Sequence, residues 1–576
     1  MLAQFREIQN LIWGKRSWLL VGLVLAGLFI FAIRQPGTQL PASPDKSLVL
    51  EDLPEQLFYS WARMLVAYIA SVFFALIIGT LAATREQRAR ILLPIVDVLQ
   101  SIPVLGFFPT AIFWFVGAAG QRNWGIEAAV VFLIFTSQSW NLVFAVYDGI
   151  RAIPAEALEA VRSFGVGKIG RFRRLYLPAV FPRMTYNSVL SWANGWYFLM
   201  ACEIIAMGPM SYRVKGLGSF LALAIDAKDW QAFWIGIGAL ISVIVAMSLL
   251  IWKPLNAYAR QFKFESTKRE GEYDTGARML GFYRHSPLFK PFRFVITLFA
   301  RLGQMAEDRL EPKGREGARA SPAFHWSYVA FLVLFWFVIG VALGGGFLKL
   351  IRSVLPPWEV PPWTVLLALG ASILRIAAAY FICIVVMLPI IYAAHKRPRA
   401  LRSLQSTSEV LASLPATAFF PLITAAAQRI FHFTEAAVLI VLLTGMVWYL
   451  FFNVISGAQA LPNDIREASK VMGLKRGLYI RRVFLPVILP ALITGSITAI
   501  GGGWNALILA EYFKQGTATF QVFGIGSILA NATYVSGNER LLSMAIFFMV
   551  LFIVFFNRYF WQPLYRWAEN KYRLDA

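Results

Sequence analysis

Long apolar runs alternate with short polar and basic segments along the chain. A run of about 20 apolar residues is long enough to cross a bilayer as a helix. The pattern predicts six spans in the first half, at about Trp18–Ile33, Ala62–Ala83, Val98–Val116, Ala128–Tyr147, Val189–Met207 and Phe233–Trp252. It predicts six more in the second half, at about Trp326–Leu348, Val365–Ala394, Leu411–Ala427, Ala436–Ile455, Ala491–Leu509 and Leu541–Trp561. We therefore expect an all-α integral membrane protein of about twelve transmembrane helices.

The first apolar run has two interpretations. Arg6, Lys15 and Arg16 precede it, as they would in a cleaved signal peptide. The second half has an equivalent run at about 326–347, which favours an uncleaved anchor that belongs to the repeat. The acidic, proline-containing segment that follows, about Gln35–Gln56, is expected to form an external loop.

Charge predicts the orientation of the spans. The chain has a net charge of +23, and its basic residues lie mainly between the spans, as Arg85, Arg88 and Arg90 do in the loop expected after the second span. Because cytoplasmic loops of membrane proteins are rich in Lys and Arg, both termini and the polar linker 263–325 are expected in the cytoplasm. Six spans on each side of a cytoplasmic linker give two parallel repeats. The expected units are therefore a first half at 1–262, the linker, and a second half at 326–576.

Composition adds mainly exclusions. The basic residues lie between the spans, as expected for the cytoplasmic loops of a membrane protein, so the positive net charge does not indicate a nucleic-acid partner. Two cysteines, Cys202 and Cys383, both in apolar runs, give neither a disulfide framework nor a cysteine metal site. The four histidines form no ligand pair, and no G-x-x-x-x-G-K-[ST] phosphate loop occurs. We expect no enzyme activity, no metal site and no cofactor on this chain.

A short basic segment occurs twice with matched spacing. Glu159-Ala-Val-Arg-Ser-Phe-Gly165 runs on to Leu177-Pro178, and Glu467-Ala-Ser-Lys-Val-Met-Gly473 runs on to Leu485-Pro486, 308 residues later. Each copy predicts a helix, a left-handed exit at its glycine, and a new span starting at its proline. An ordinary basic loop is the alternative for a single copy, and the repetition weighs against it.

This segment resembles the EAA loop of importer-type ABC permeases. The matching positions are Glu159, Ala160, Gly165, Leu175, Leu177 and Pro178 in one copy and Glu467, Ala468, Gly473, Val483, Leu485 and Pro486 in the other. The third position departs from the pattern, being Val161 or Ser469 where the family has alanine. The resemblance implies that the loops, about 156–178 and 464–486, each contain a coupling helix that docks into an ATPase subunit.

Further matched pairs lie within the spans. Two prolines six residues apart begin at Pro103 and at Pro415, which fits either a simple kink or a pore-lining break. Trp196 and Glu203 match Trp504 and Glu511, and each glutamate is followed by a Gly-x-Gly. Intramembrane carboxylates favour a pathway or gate; an interfacial glutamate, solvated or paired with arginine, is the alternative.

Arg63 and Arg375 also correspond, each near the outer end of its span. We include them among the pathway or gate candidates, although snorkelling to the interface is the favoured explanation. With these arginines, the two proline segments, the EAA loops and the Gly-x-Gly motifs, the chain resembles the nitrate, sulfonate, taurine and bicarbonate branch of ABC import permeases.

The resemblance implies a permease with two halves fused in one chain, in the cytoplasmic (inner) membrane of a bacterium. Its expected partners are two ATP-binding subunits inside, which carry ATP and magnesium, and a solute-binding protein outside. The implied solute is a small anion. An ion-driven secondary transporter and a non-transporting membrane scaffold are the alternatives from other classes. A secondary transporter would need charged residues in several central helices, whereas only Glu203 and Glu511 are candidates here. A scaffold would not need the two EAA loops.

Overall fold

The computed structural model describes residues 50–101, 123–207, 210–259, 352–413, 434–459, 463–515 and 518–572, with a few isolated positions between them. The predicted spans at Trp18–Ile33 and Trp326–Leu348 and the linker 263–325 lie outside the described residues. So do most of Val98–Val116 and Leu411–Ala427, together with Pro103 and Pro415.

The first half is built from helices with one small hairpin. Its elements are α1 (Leu53–Thr84), α2 (Glu86–Ser101), α3 (Asn123–Arg151), α4 (Ala155–Ser163), α5 (Lys168–Arg171), α6 (Leu177–Glu203), β1 (Ile204–Met207), β2 (Met210–Arg213), α7 (Leu217–Asp226), α8 (Trp230–Met247) and α9 (Lys253–Ala259). A π-helical segment at Phe172–Tyr176 joins α5 to α6, and another at Ser248–Trp252 joins α8 to α9.

The second half repeats this order. Its elements are α10 (Pro362–His395), α11 (Pro398–Ser413), α12 (Thr434–Gln459), α13 (Asn463–Val471), α14 (Arg476–Tyr479), α15 (Leu485–Glu511), β3 (Tyr512–Gln515), β4 (Ala518–Gln521), α16 (Ile525–Ala530), α17 (Glu539–Phe556) and α18 (Gln562–Tyr572). Its π-helical segments lie at Ile480–Phe484, Asn531–Val535 and Asn557–Trp561. The elements from α4 to β2 return from α13 to β4 with every bound shifted by 308 residues.

Seven helical stretches in the described part of the chain are long and apolar enough to cross a membrane. They are Leu50–Thr84, Gly125–Arg151, Trp230–Ala259, Pro362–His395, Glu435–Gln459, Arg476–Glu511 and Glu539–Ala568. The predicted all-α membrane class is confirmed. The sequence patterns did not predict the two antiparallel hairpins, β1–β2 and β3–β4, which follow α6 and α15.

Two predictions about local structure are wrong. The chain does not restart at Pro178 or Pro486, because one continuous helical run begins at Lys168 or Arg476 and passes through the proline. The π-helical turn before each proline supplies the space that its ring needs, so the helix continues. The arginine-rich segment after α1, expected as a loop, is the helix α2, in which Arg90 pairs with Glu86 one turn earlier.

The two halves pack against each other reciprocally. Helix α2 of the first half contacts α17 of the second, and α11 of the second half contacts α8 and α6 of the first. Since α2 corresponds to α11 and α8 to α17, these are equivalent contacts related by a pseudo-two-fold axis. One continuous cluster of buried apolar side chains extends through both halves, and burial of this surface holds the elements described below in place.

Candidate functional site

A buried ion-pair cluster joins three helices at the end of α6. Arg63 on α1 donates from Nε and Nη2 to the two carboxylate oxygens of Glu127 on α3, at 2.7 and 2.8 Å. Its Nη1 donates to Oε1 of Glu203, the last residue of α6, at 2.9 Å. Ser60, one helical turn before Arg63, donates to the same oxygen at 2.6 Å. We call Ser60, Arg63, Glu127 and Glu203 the Arg63 cluster.

The start of α7 completes this cluster. The backbone N–H of Gly218 donates to Oε2 of Glu203 at 2.6 Å, and that of Leu217 donates to the Ser60 hydroxyl at 2.8 Å. Two carboxylates share one guanidinium, so the side chains alone carry one formal negative charge. The N–H groups of a first helical turn carry partial positive charge, and here they stabilise the second carboxylate.

The Gly-x-Gly motif makes room for this carboxylate. A Cβ placed on Gly216 would lie 2.3 Å from Cδ of Glu203, and one on Gly218 would lie 3.0 Å from its Oε2. Real Cβ atoms do not approach other atoms as closely as the first of these distances. A glycine at position 216 is therefore required for the contact between Glu203 and the start of α7.

The second half contains the same cluster, which we call the Arg375 cluster. Arg375 donates to both carboxylate oxygens of Glu435 at 2.6 Å and to Oε1 of Glu511 at 2.7 Å. Ser372 donates to that oxygen at 2.6 Å, and the Gly526 N–H donates to the other oxygen at 2.7 Å. A Cβ on Gly524, the counterpart of Gly216, would lie 2.2 Å from the Glu511 carboxyl group.

The two clusters differ in exposure. In the Arg63 cluster the side chains of Arg63 and Glu127 are 3% and 7% exposed. In the Arg375 cluster the corresponding values are 12% for Arg375 and 34% for Glu435. Glu203 and Glu511 are fully buried in both. The protein therefore encloses the second cluster less completely than the first.

The repeated basic segments form two short capped helices. Two residues after the last residue of α4 and of α13 lie glycines with positive φ, +61° at Gly165 and +63° at Gly473, which confirms the predicted left-handed exits. The next N–H groups, of Val166 and Leu474, return to the carbonyls of Val161 and Ser469 at 3.4 and 3.1 Å. This pattern is the Schellman motif, which fixes the direction in which the chain leaves the helix.

Each capped helix carries large apolar side chains in solvent at its C-terminal end. Phe164 beside Gly165 is 84% exposed, and Val471 and Met472 before Gly473 are 88% and 75% exposed. Glu159 and Glu467 are also exposed on these helices. Exposed apolar side chains that lie together at a fixed position are typical of an interaction surface.

A cavity of about 160 Å³ lies between the two halves. Aromatic side chains contribute much of its wall, among them Trp140, Tyr197, Trp448, Tyr449, Trp504 and Phe552. Polar groups interrupt this wall at Asp97, Gln100, Asn141, Asn194 and Asn505. Because α2, α3 and α6 face α12, α15 and α17 across it, any movement of one half against the other changes its shape.

Hydrogen bonds cross from one half to the other at this cavity. Tyr449 donates to Oδ1 of Asn194 at 2.8 Å, and the backbone N–H of Val104 donates to Oδ1 of Asn505 at 2.8 Å. Asn557 donates to Oδ2 of Asp97 at 2.8 Å. The halves are thus joined by polar contacts around the cavity as well as by apolar packing.

Comparison with known families shows which family the chain belongs to. The family "Binding-protein-dependent transport system inner membrane component" matches the chain twice, at residues 72–253 and 385–561. The chain belongs to this family. The two matches fall on the two halves and include both capped helices and most of the cavity wall, so the protein is a permease with two fused halves, a component of transport rather than of catalysis.

Individual relatives of this permease are distant. A nitrate import permease protein, NrtB, of Leptolyngbya laminosa is 27% identical over 183 residues, 32% of this chain and 62% of the relative. The taurine transport system permease protein TauC of Escherichia coli is 24% identical over 170 residues, 29% of this chain and 58% of the relative. The bicarbonate transport system permease protein CmpB of Synechococcus elongatus (strain ATCC 33912 / PCC 7942 / FACHB-805) is 25% identical over 162 residues, 28% of this chain and 55% of the relative. The alignments span less than two thirds of each relative.

The structure separates the pathway candidates that the sequence grouped together. Glu203, Glu511, Arg63 and Arg375 lie in the two ion-pair clusters, which are not part of the described cavity wall. Trp504 lines the cavity, whereas Trp196 is buried in the core. Snorkelling is wrong for Arg63, because both ends of its guanidinium are bound by carboxylates. A gating role for the two glutamates stays a prediction.

Several residues of the permease's sites were missed from sequence. Glu127 and Glu435 keep the 308-residue offset, and Ser60 and Ser372 each lie three residues before the corresponding arginine. An alignment of the two halves over more of their length would therefore have identified these residues as matched pairs. The cavity amides Asn141, Asn194 and Asn505 are polar groups inside apolar spans, which are typical of functional positions. No group of His, Cys, Asp or Glu suited to a metal ion occurs among the described residues.

Proposed function

We propose that this chain is the membrane-spanning subunit of an ATP-driven importer in the cytoplasmic (inner) membrane of a bacterium. The observation that carries the proposal is the pair of capped helices α4 and α13, placed equivalently in two family domains and ending in exposed apolar side chains. A rigid helix with a fixed exit and an uncovered apolar tip is suited to transmit force to a partner protein.

The partner at these helices is a separate ATP-binding subunit, in two copies, one for each half. ATP and magnesium bind there, and a solute-binding protein delivers solute from the outer side. Closure of the ATPase pair moves α4 and α13. The halves then rock as rigid bodies and open the central cavity to alternate sides of the membrane.

The solute is proposed to be small and to carry an anionic group. The support is that the relatives' names specify nitrate, bicarbonate and taurine. An ion-gradient-driven secondary transporter is the alternative. It would use buried carboxylates to carry protons or cations, but Glu203 and Glu511 each accept hydrogen bonds from an arginine, a serine and a backbone amide. These contacts favour a structural carboxylate over one that exchanges ions.

The double variant Gly165→Val/Gly473→Val tests the coupling role. A β-branched residue in the left-handed region costs roughly 1–2 kcal/mol at each position, so each helix should lose its fixed exit. We expect weaker association with the ATPase, or hydrolysis that no longer drives uptake, in a protein that still inserts into the membrane. The measurement is solute-stimulated ATP hydrolysis and uptake by the complete complex in proteoliposomes.

Gly477→Val is the matched control. Gly477 lies four residues after Gly473, in α14, and it has open space around it like Gly165 and Gly473 but no positive φ. The Gly477→Val variant should therefore show almost normal solute-stimulated ATP hydrolysis and uptake. Full stimulation and uptake in the Gly165→Val/Gly473→Val variant would show that the segments are ordinary basic loops.

Topology provides a second test. We expect single cysteines placed in the linker 263–325, or near either terminus, to react with a membrane-impermeant thiol reagent only after the cytoplasmic side is opened. The native Cys202 and Cys383 are buried and should give little background in intact cells. Labelling of the linker from outside would contradict two parallel six-span repeats.

A further inference from the structure

The cavity between the halves is asymmetric although its scaffold is two-fold. Asn141 of the first half corresponds to Tyr449 of the second, and Asn194 corresponds to Gly502. In the opposite sense, Tyr197 of the first half corresponds to Asn505 of the second. All of these residues line the cavity. A solute in it therefore meets different chemistry on the two sides.

The volume of the cavity suits an organic solute. An engineered cavity of about 150 Å³ in another protein holds a benzene molecule, so a cavity of 160 Å³ holds a solute of about that size. Trp140 and Trp448, one from each half, supply ring surface. Such surface gains free energy by covering carbon atoms or an ammonium group. It offers little to a strongly hydrated ion such as bicarbonate.

The charge of the wall is the deciding observation. No Lys, Arg or His occurs among the described lining residues, and the only Asp or Glu among them is Asp97. Its Oδ2 is held by Asn557 at 2.8 Å and by Gln562 at 3.2 Å. At roughly 8 Å and an effective dielectric constant of about 20, such a carboxylate disfavours a bare anion by roughly thirtyfold. It favours an ammonium group by the same factor.

We propose that this cavity binds a small organic zwitterion, a molecule with an ammonium group and an oxyanion group. The ammonium group faces Asp97 and the ring surfaces of Trp140 and Trp448. The oxyanion group faces the side-chain amide of Asn141, for which the structure gives no partner among the described residues. Neutral amide donors bind an oxyanion weakly enough to release it, as transport requires. This inference rests on the proposed importer function and narrows its solute class.

Equilibrium binding of radiolabelled taurine to the full chain in lipid nanodiscs tests the proposal. Unlabelled glycine betaine should displace bound taurine, whereas nitrate and bicarbonate at the same concentration should not. Asp97→Asn should weaken taurine binding by about tenfold or more, since it removes a charged partner. Asn141→Ala should weaken it by a few-fold.

Glu86→Gln is the control, because Glu86 lies on the same helix as Asp97, is 73% exposed and does not line the cavity. It should bind taurine normally. If Asp97→Asn fails to give monodisperse protein, Asn141→Ala decides the question. Equal displacement by nitrate or bicarbonate, unchanged affinity in the cavity variants, or no taurine binding at all would overturn the zwitterion site.

The complete complex separates this inference from the proposed function. ATP-driven uptake of nitrate or bicarbonate without uptake of taurine would leave the importer function standing and would overturn the zwitterion site. Taurine binding to the chain without any ATP-driven uptake by the complex would overturn the importer function instead.

Discussion

Arg63→Ala is expected to cost about 3–5 kcal/mol of the free energy of unfolding. The change leaves Glu127 and Glu203 buried without the cation that binds both, and an uncompensated buried charge has a cost of this size. Because whole proteins are stable by only about 5–15 kcal/mol, this loss is a large fraction of the total, and we expect a clearly lower yield of folded protein. The measurement is the yield of monodisperse protein and its thermal unfolding midpoint in detergent.

The second half and the protein surface supply graded controls for this prediction. Arg375→Ala should cost less, because its partner Glu435 is one-third exposed and is therefore less completely enclosed by the protein. Arg90→Ala breaks an ion pair whose side chains are 75% and 73% exposed, and should cost less than about 1 kcal/mol. An unfolding midpoint for Arg63→Ala equal to that of Arg90→Ala would contradict a stabilising role for the cluster.

Gly216→Ala and Gly524→Ala are expected to have effects of similar size. The new methyl group would lie 2.3 or 2.2 Å from the carboxyl carbon of Glu203 or Glu511. The carboxylate must then leave the start of α7 or α16 and lose its backbone hydrogen bond. Overpacking typically costs about 1–3 kcal/mol, and the lost charged hydrogen bond adds about 1.5–3 kcal/mol. Thermal unfolding in detergent and uptake by the complete complex measure the effect.

Two glycines elsewhere in the spans are matched controls. Gly238 in α8 and Gly370 in α10 have no atom within 4 Å of a Cβ. Alanine at either position should be neutral or slightly stabilising, since glycine is the poorer residue inside a helix by about 0.5–1 kcal/mol. If Gly238→Ala lowers the unfolding midpoint as much as Gly216→Ala does, the carboxylate contact is not the reason for the Gly-x-Gly motif.

The clusters also bear on how the halves move. Each one joins three long helices and the following short helix through hydrogen bonds of 2.6 to 2.9 Å. This end of each half therefore behaves as one body, which suits the proposed rigid rocking. The contacts that must change lie at the cavity, where Tyr449 binds Asn194 and Asn557 binds Asp97 across the two halves.

Local pattern in the sequence determined the architecture of this protein. Span length and hydropathy are properties of single segments, so they predict the membrane class without reference to packing. The left-handed glycines 165 and 473 were predictable for the same reason, since a helix that ends before glycine satisfies its last carbonyls locally. The 308-residue repeat extended each local prediction to the other half.

Only the tertiary structure decided which groups the intramembrane charges contact. The sequence favoured a pathway or gate role for Glu203 and Glu511 over pairing with an arginine, because a sequence does not say which helix face meets which. The fold brings Glu127 to within 2.7 Å of Arg63 across 64 residues, leaves the carboxylates away from the cavity, and places Asp97 and Asn141 on its wall. Hydropathy periodicity identifies a buried face, whereas the partner of a buried charge depends on how the helices pack in three dimensions.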